Sequence, residues 1–142
     1  MDKAEIARLE AYLRKLLGAS ELAVRARGGD EADVLVGAEK IADITKDEDE
    51  GELSYFFNMG VARQKGAAKS APVDAAERLR LEKVLKERFG APRLSVRARP
   101  RKTDSAEVYV GDEFIGTISA DEGDVGYYLT VSILDIDLDG GI

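Results

Sequence analysis

The side chains in this sequence best placed to do chemistry are arginines. Arg25 and Arg27 stand two apart in one stretch, and Arg97, Arg99 and Arg101 in another, where Lys102 follows. On an extended strand, residues two apart share a face. Each stretch would therefore present a cationic stripe able to follow a phosphate backbone or hold another anion. Acids such as Asp33 and Glu107 could meet the same arginines from a neighbouring strand, where opposite charges are mildly stabilising. A second group, Asp135, Asp137 and Asp139 before Gly140, copies the opening of a calcium loop. That loop also needs a bidentate Glu at its twelfth position, and no Glu follows here. Alternation with Ile136 and Leu138 predicts instead an edge strand whose charged outer face discourages pairing. The sequence leaves open whether these three aspartates hold a cation.

Catalysis finds little support. The chain has no His and no Cys, so it lacks the usual base near neutral pH and any thiolate nucleophile. It has no Gly-x-Ser-x-Gly elbow and no Gly-Lys-Ser or Gly-Lys-Thr phosphate loop. The acid pairs Asp112-Glu113 and Asp121-Glu122 fall in predicted turns, with nothing apolar to raise a pKa. The expectation is a protein that is not an enzyme and carries no cofactor or metal. The aromatic clusters Tyr55-Phe56-Phe57 and Tyr127-Tyr128 remain. If Tyr55 and Tyr127 point inward, Phe56 and Tyr128 point outward, toward a partner or toward the other half of the chain.

These residues recur in pairs because the chain is duplicated. Asp2 to Arg27 aligns without a gap on Asp74 to Arg99, with 14 of 26 residues identical. Asp-x-x-Glu opens each copy and can cap a helix. Ile6, Leu9, Tyr12, Leu13, Leu16 and Leu17 follow at helical period, matched by Leu81, Val84, Leu85 and Phe89, and Gly18 and Gly90 close the helices. Period-two alternation then predicts a strand with Leu22, Val24 and Ala26 inward, or Leu94, Val96 and Ala98. A second strand is expected over 32–36 or 106–110. Gly111-Asp112 is a hairpin signal, and Gly37-Ala38 a poorer one. A third strand is expected over 39–45 or 113–119. An acidic turn over 47–52 or 121–124 introduces a fourth strand around Tyr55 or Tyr127. A bulge near Ile133-Leu134 would reconcile the change in apolar phase after it.

The fold class is therefore α+β. Two tandem units, 1–62 and 73–142, each carry one helix and a four-stranded antiparallel meander, joined by a basic linker over 63–72. They are expected to pack as an intramolecular pseudo-dimer, monomeric overall. No apolar run is long enough to cross a bilayer, and Met1 is followed by a charged helix start rather than a leader, so a cytoplasmic location is expected. The net charge of -7 is unevenly spread: residues 78–102 hold ten bases against two acids, and residues 103–142 hold ten acids and no base. The acidic second halves are the preferred docking surface for a protein partner, with nucleic acid on the arginine strands as the alternative.

The segments RLEKVLKERFG and DSAEVYVGDEFIGTIS, and the ending from Tyr127 to Leu138, resemble a bacterial family known as domain of unknown function 3126. The likeness covers 74–139 closely and 2–62 more loosely, with GDEFIG replaced by GAEKIA at 37–42. It implies a single such unit present twice, and no activity.

Overall fold

Asp2 starts the first long helix. Its side chain accepts the Glu5 amide hydrogen while the Glu5 carboxylate accepts that of Asp2, so free amides of the first turn are satisfied reciprocally. The helix, α1 (Lys3–Leu17), ends where Gly18 turns left-handed at φ 68°. The second copy repeats this as α2 (Ala75–Phe89), with Asp74 accepting from Glu77 and Gly90 at φ 66°. Our computed structural model describes residues 1–63, 66, 72–121 and 126–140, the last two without their side chains. The linker expected over 63–72 and the turn over 121–124 lie largely outside the described residues.

Four strands follow each helix: β1 (Leu22–Ala26), β2 (Glu31–Val36), β3 (Glu39–Asp49) and β4 (Glu52–Val61), then β5 (Leu94–Arg99), β6 (Lys102–Val110), β7 (Glu113–Ala120) and β8 (Tyr127–Leu134). They form one antiparallel sheet in the order β1-β2-β3-β4-β8-β7-β6-β5. The units thus join through their fourth strands, and the pairing runs from Ser54↔Leu134 to Val61↔Tyr127. Asn58 lies opposite Thr130, its own counterpart in the repeat, so a pseudo-twofold axis passes between them. Inward pairs Tyr55↔Ile133, Phe57↔Val131 and Met59↔Leu129 are all buried, each side chain contributing roughly 1.5–3 kcal/mol.

Both helices cover this inner face, and each leans on the other unit. The Phe89 ring of α2 lies 6.3 Å from Phe57 of β4. The helix ends also meet, since a Cβ on Gly18 would sit 3.8 Å from that of Ala91. In a flat sheet, seven interstrand steps would set β1 and β5 roughly 34 Å apart. The contact between caps brings the starts of these edge strands much closer, so the sheet curls around the helices. Each edge is also blunted from within. Glu10 accepts the Val24 amide hydrogen and Glu82 that of Val96, both at 3.0 Å, occupying donors that a stray strand would otherwise use.

Three expectations need correction. The acidic stretch 47–52 is not a loop: β3 and β4 run on as a ribbon to Asp49↔Glu52, closed by Glu50 and Gly51, both with positive φ. The segment from Asp135 is not an edge strand and has no bulge before it. β8 is central, ends at Leu134, and gives way to a short helix, α3 (Asp135–Gly140). Finally, the hairpin at Gly37-Ala38 keeps the geometry of Gly111-Asp112, with φ 64° and 62° at the two glycines. Only this first turn residue is left-handed, so Ala38 serves where Asp112 does.

Candidate functional site

The two arginine stripes sit on opposite edges of the sheet and are not brought together. One outward row of paired residues crosses all eight strands: Arg25, Asp33, Asp43, Asn58, Thr130, Thr117, Glu107 and Arg97. Arginines end the row and the pseudo-axis bisects it. In the first unit Arg27 donates to Asp33, Asp43 and Glu31, each at 2.8 Å. Lys40 shares Asp33 and Asp43 at 3.1 and 2.9 Å. Hydrogen bonding, first from Lys40 and then from Arg27, holds Asp43 below its ordinary pKa even against partial burial. The second unit lacks this acid cage. Arg97 donates to Ser95 Oγ and the Gly111 carbonyl, its guanidinium lies 4.0 Å over the Tyr109 ring, and Tyr109 meets Phe114 edge-on at 5.7 Å. Arg99 donates to Ser105 Oγ. Arg101 and Lys102 are exposed at the β5–β6 turn, with Arg101 left-handed at φ 63°.

Phe56 and Tyr128 both face outward beside the pseudo-axis, opposite Ser132 and Gly60 rather than each other. Phe56 is 38% exposed and Tyr128 half-buried. The contact between units is the β4–β8 ladder and its buried inner face. On α3, Asp135 pairs with Arg8 at 3.6 Å, and Asp137 accepts the Leu134 amide hydrogen at 3.0 Å. These carboxylates are held by the helix end and by α1. Among the described residues no three potential metal ligands converge.

Sequence reasoning missed two features. The first is a polar clamp present in both copies. Glu5, 7% exposed, accepts from Tyr55 and Lys46 at 2.7 Å each. In the second copy Glu77 accepts from Tyr127 at 2.7 Å and from Arg80 at 2.6 Å. Burial alone would raise the Glu5 carboxyl, but the hydrogen bonds from Lys46, Tyr55 and the Asp2 backbone hold it at about 2. Burial and the neighbouring Glu77 carboxylate push Tyr127 up to about 12, and burial with Glu5 raises Tyr55 further. Each phenol stays protonated and each carboxylate ionised across the neutral range, so the pair fastens a helix to a central strand and moves no proton. The retention of Glu5/Glu77 and Tyr55/Tyr127, fifty residues apart in both copies, was the available signal.

The second feature is a cleft of about 410 Å³ between α1 and the second unit. It opens because the β7–β8 ladder stops at Thr117↔Thr130 while β7 runs on toward Glu113. Tyr12 and Leu16 form its roof, Ile115 and Val131 its apolar wall, and Glu113 and Asp137 contribute carboxylates. Partial burial, then Asp137 and Glu113, raise the Tyr12 pKa. Among the described residues no basic side chain lines the cleft. Only the curled sheet brings α1 over the second unit, so no local pattern announces it.

A duplicated helix-and-meander unit, fused through its last strand into one curled sheet, defines the class of this protein. The family model described as protein of unknown function DUF3126 matches residues 5–64 and again 77–137. The chain belongs to that family and carries its unit twice. No curated protein and no solved structure matches the chain. No helix among the described residues is long and apolar enough to cross a membrane.

Proposed function

We propose that this protein is a non-catalytic interaction module that docks a basic protein partner on its acidic end. The surroundings of Phe56 and Leu134 carry this reading. Both point outward beside the seam, with Ser54 opposite Leu134 and Ser132 opposite Phe56, and they are 38% and 53% exposed. Ile136 follows, 73% exposed. The β3–β4 ribbon next to them bears Asp47, Asp49, Glu50 and Glu52. Apolar anchors beside a charged rim are how compact interfaces gain affinity and choose partners. The pseudo-equivalent of Leu134 is Ala62, so the opposite end of the seam offers no such pair. Affinity capture with wild type and with Phe56→Ser/Leu134→Ser tests the reading. The expected result is a set of basic proteins retained by wild type and lost by the variant at unchanged stability. Equal retention by both would overturn it.

The arginine edge of the second unit supports a second reading, single-stranded nucleic acid. The cation and ring stack of Arg97, Tyr109 and Phe114 faces outward, and such surfaces hold bases and phosphates together. Among the described residues no carboxylate forms an ion pair with Arg97, Arg99, Arg101 or Lys102. Titration with labelled oligonucleotides decides it. Absence of binding at low salt eliminates this reading, and steeply salt-dependent binding lost in Arg97→Glu/Arg99→Glu places it first.

A further inference from the structure

The repeat provides an internal comparison for the cleft beneath α1. The pseudo-axis relates this cleft to one of about 380 Å³ between α2 and the first unit, lined by Val36, Glu39, Ile41, Val84, Glu87 and Arg88. There the β3–β4 ladder likewise stops at Asp43↔Asn58. Arg88 reaches across from α2 and donates to the Gly60 carbonyl at 3.3 Å. The counterpart of Gly60 is Ser132, which lines the open cleft. The counterpart of Arg88 is Leu16, which has nothing to donate. One copy therefore supplies its own guanidinium, while the other presents the corresponding carbonyl position with none. The carboxylates, by contrast, are common to both clefts: Glu39, the counterpart of Glu113, lines the cleft that Arg88 enters, together with Glu87. Glu113 and Asp137 line the open cleft, and a guanidinium can satisfy several such acceptors from one planar group.

We propose that the open cleft beneath α1 receives the guanidinium of an arginine on a partner protein, in the place that Arg88 fills in the pseudo-equivalent cleft. The cleft volume of about 410 Å³ is at the small end of ligand sites and admits the head and stem of one long side chain. Its apolar wall of Ile115 and Val131 suits the methylene stem, and its carboxylates suit the head. Asp137 belongs to α3, which also presents Ile136, so the cleft adjoins the docking end described above. The inference rests on that reading and narrows it to one side chain.

The test is fluorescence anisotropy with a labelled hexa-arginine peptide at low ionic strength, on the full chain. Leu16→Arg should let the protein fill its own cleft, as Arg88 does opposite, and weaken binding about ten-fold or more. Ala11→Arg adds the same charge at an exposed position of the same helix and should change affinity no more than about two-fold. Glu113→Gln, at an exposed cleft residue, should weaken binding about three-fold or more, while Asp112→Asn beside it should not. Glu113→Gln also keeps the test decisive if Leu16→Arg does not fold. Equal effects of Leu16→Arg and Ala11→Arg would overturn the assignment, as would equal binding of hexa-lysine. Free agmatine competing at the concentrations of the peptide would overturn the choice of a protein source. Hexa-arginine binding that responds only to neutralising the 47–52 ribbon sinks the cleft and leaves the interaction reading standing. No binding of any basic peptide sinks both.

Discussion

Replacing Glu5 by Gln removes the charge of the clamp and one of its two acceptor oxygens. The two carboxylate oxygens have separate tasks, Oε1 accepting from the Asp2 amide and Oε2 from Tyr55, so the single amide oxygen of Gln keeps only one of them. What disappears is the carboxylate held by Lys46 at 2.7 Å. The magnitude follows from linkage. An ordinary Glu titrates near 4.5 and Glu5 at about 2, a difference that corresponds to about 3 kcal/mol at neutral pH. Because the folded value is depressed, this stabilisation is present above pH 4.5 and drains away as pH falls toward 2. By pH 3 roughly half of it is gone. Urea unfolding of wild type and Glu5→Gln at pH 7 and pH 3 measures both quantities. The variant should be about 3 kcal/mol less stable at pH 7, and the gap should shrink to about 1.5 kcal/mol at pH 3. A gap below about 0.5 kcal/mol at pH 7, or one that does not narrow with acid, refutes the clamp as a charged structural element.

Other perturbations test the remaining architecture. Gly116→Ala would place a Cβ 2.5 Å from the Thr130 carbonyl oxygen and 2.9 Å from Val131, so the start of the β7–β8 ladder must shift; a loss of about 2–4 kcal/mol in denaturant unfolding is expected. Arg101→Gly relieves a left-handed arginine and should raise stability by about 1 kcal/mol, visible as a higher Tm in calorimetry. Residues 73–142 made alone would leave β8 without its neighbour β4 and should pair with a second copy across the same axis. Light scattering should then report twice the fragment mass, and a folded monomer would contradict the seam.

The parts legible in the sequence were those with local causes. Helix caps, the buried stripe Leu9-Leu13-Leu17 and the inward set Leu22 and Val24 follow from spacing within a few residues. The ribbon at 46–53 was missed because its strands are solvated on most sides and show no apolar alternation, while their pairing is backbone hydrogen bonding that needs none. The helix from Asp135 was missed because six residues cannot show a helical period; Leu138, 6% exposed, docks it, and Asp137 caps it. Among the candidate residues, Arg27 proved to be caged by acids, whereas Arg97 found a ring. Both outcomes depend on which strand lies alongside. The cleft depends on a helix of one unit crossing to the other, and duplication alone does not say through which edge two units will join.

The fusion of the two halves that meet at Asn58 and Thr130 also fixes stoichiometry. Two identical subunits related by a true axis must own two identical clefts and bind two equivalents of any ligand that fits one. Joining the units in a single chain lets the positions of Leu16 and Arg88 differ, so one cleft has the Gly60 carbonyl taken by its own guanidinium while the matching position in its twin has only a leucine beside it. A complex of one partner per chain, lopsided on a nearly symmetric frame, is then the natural outcome.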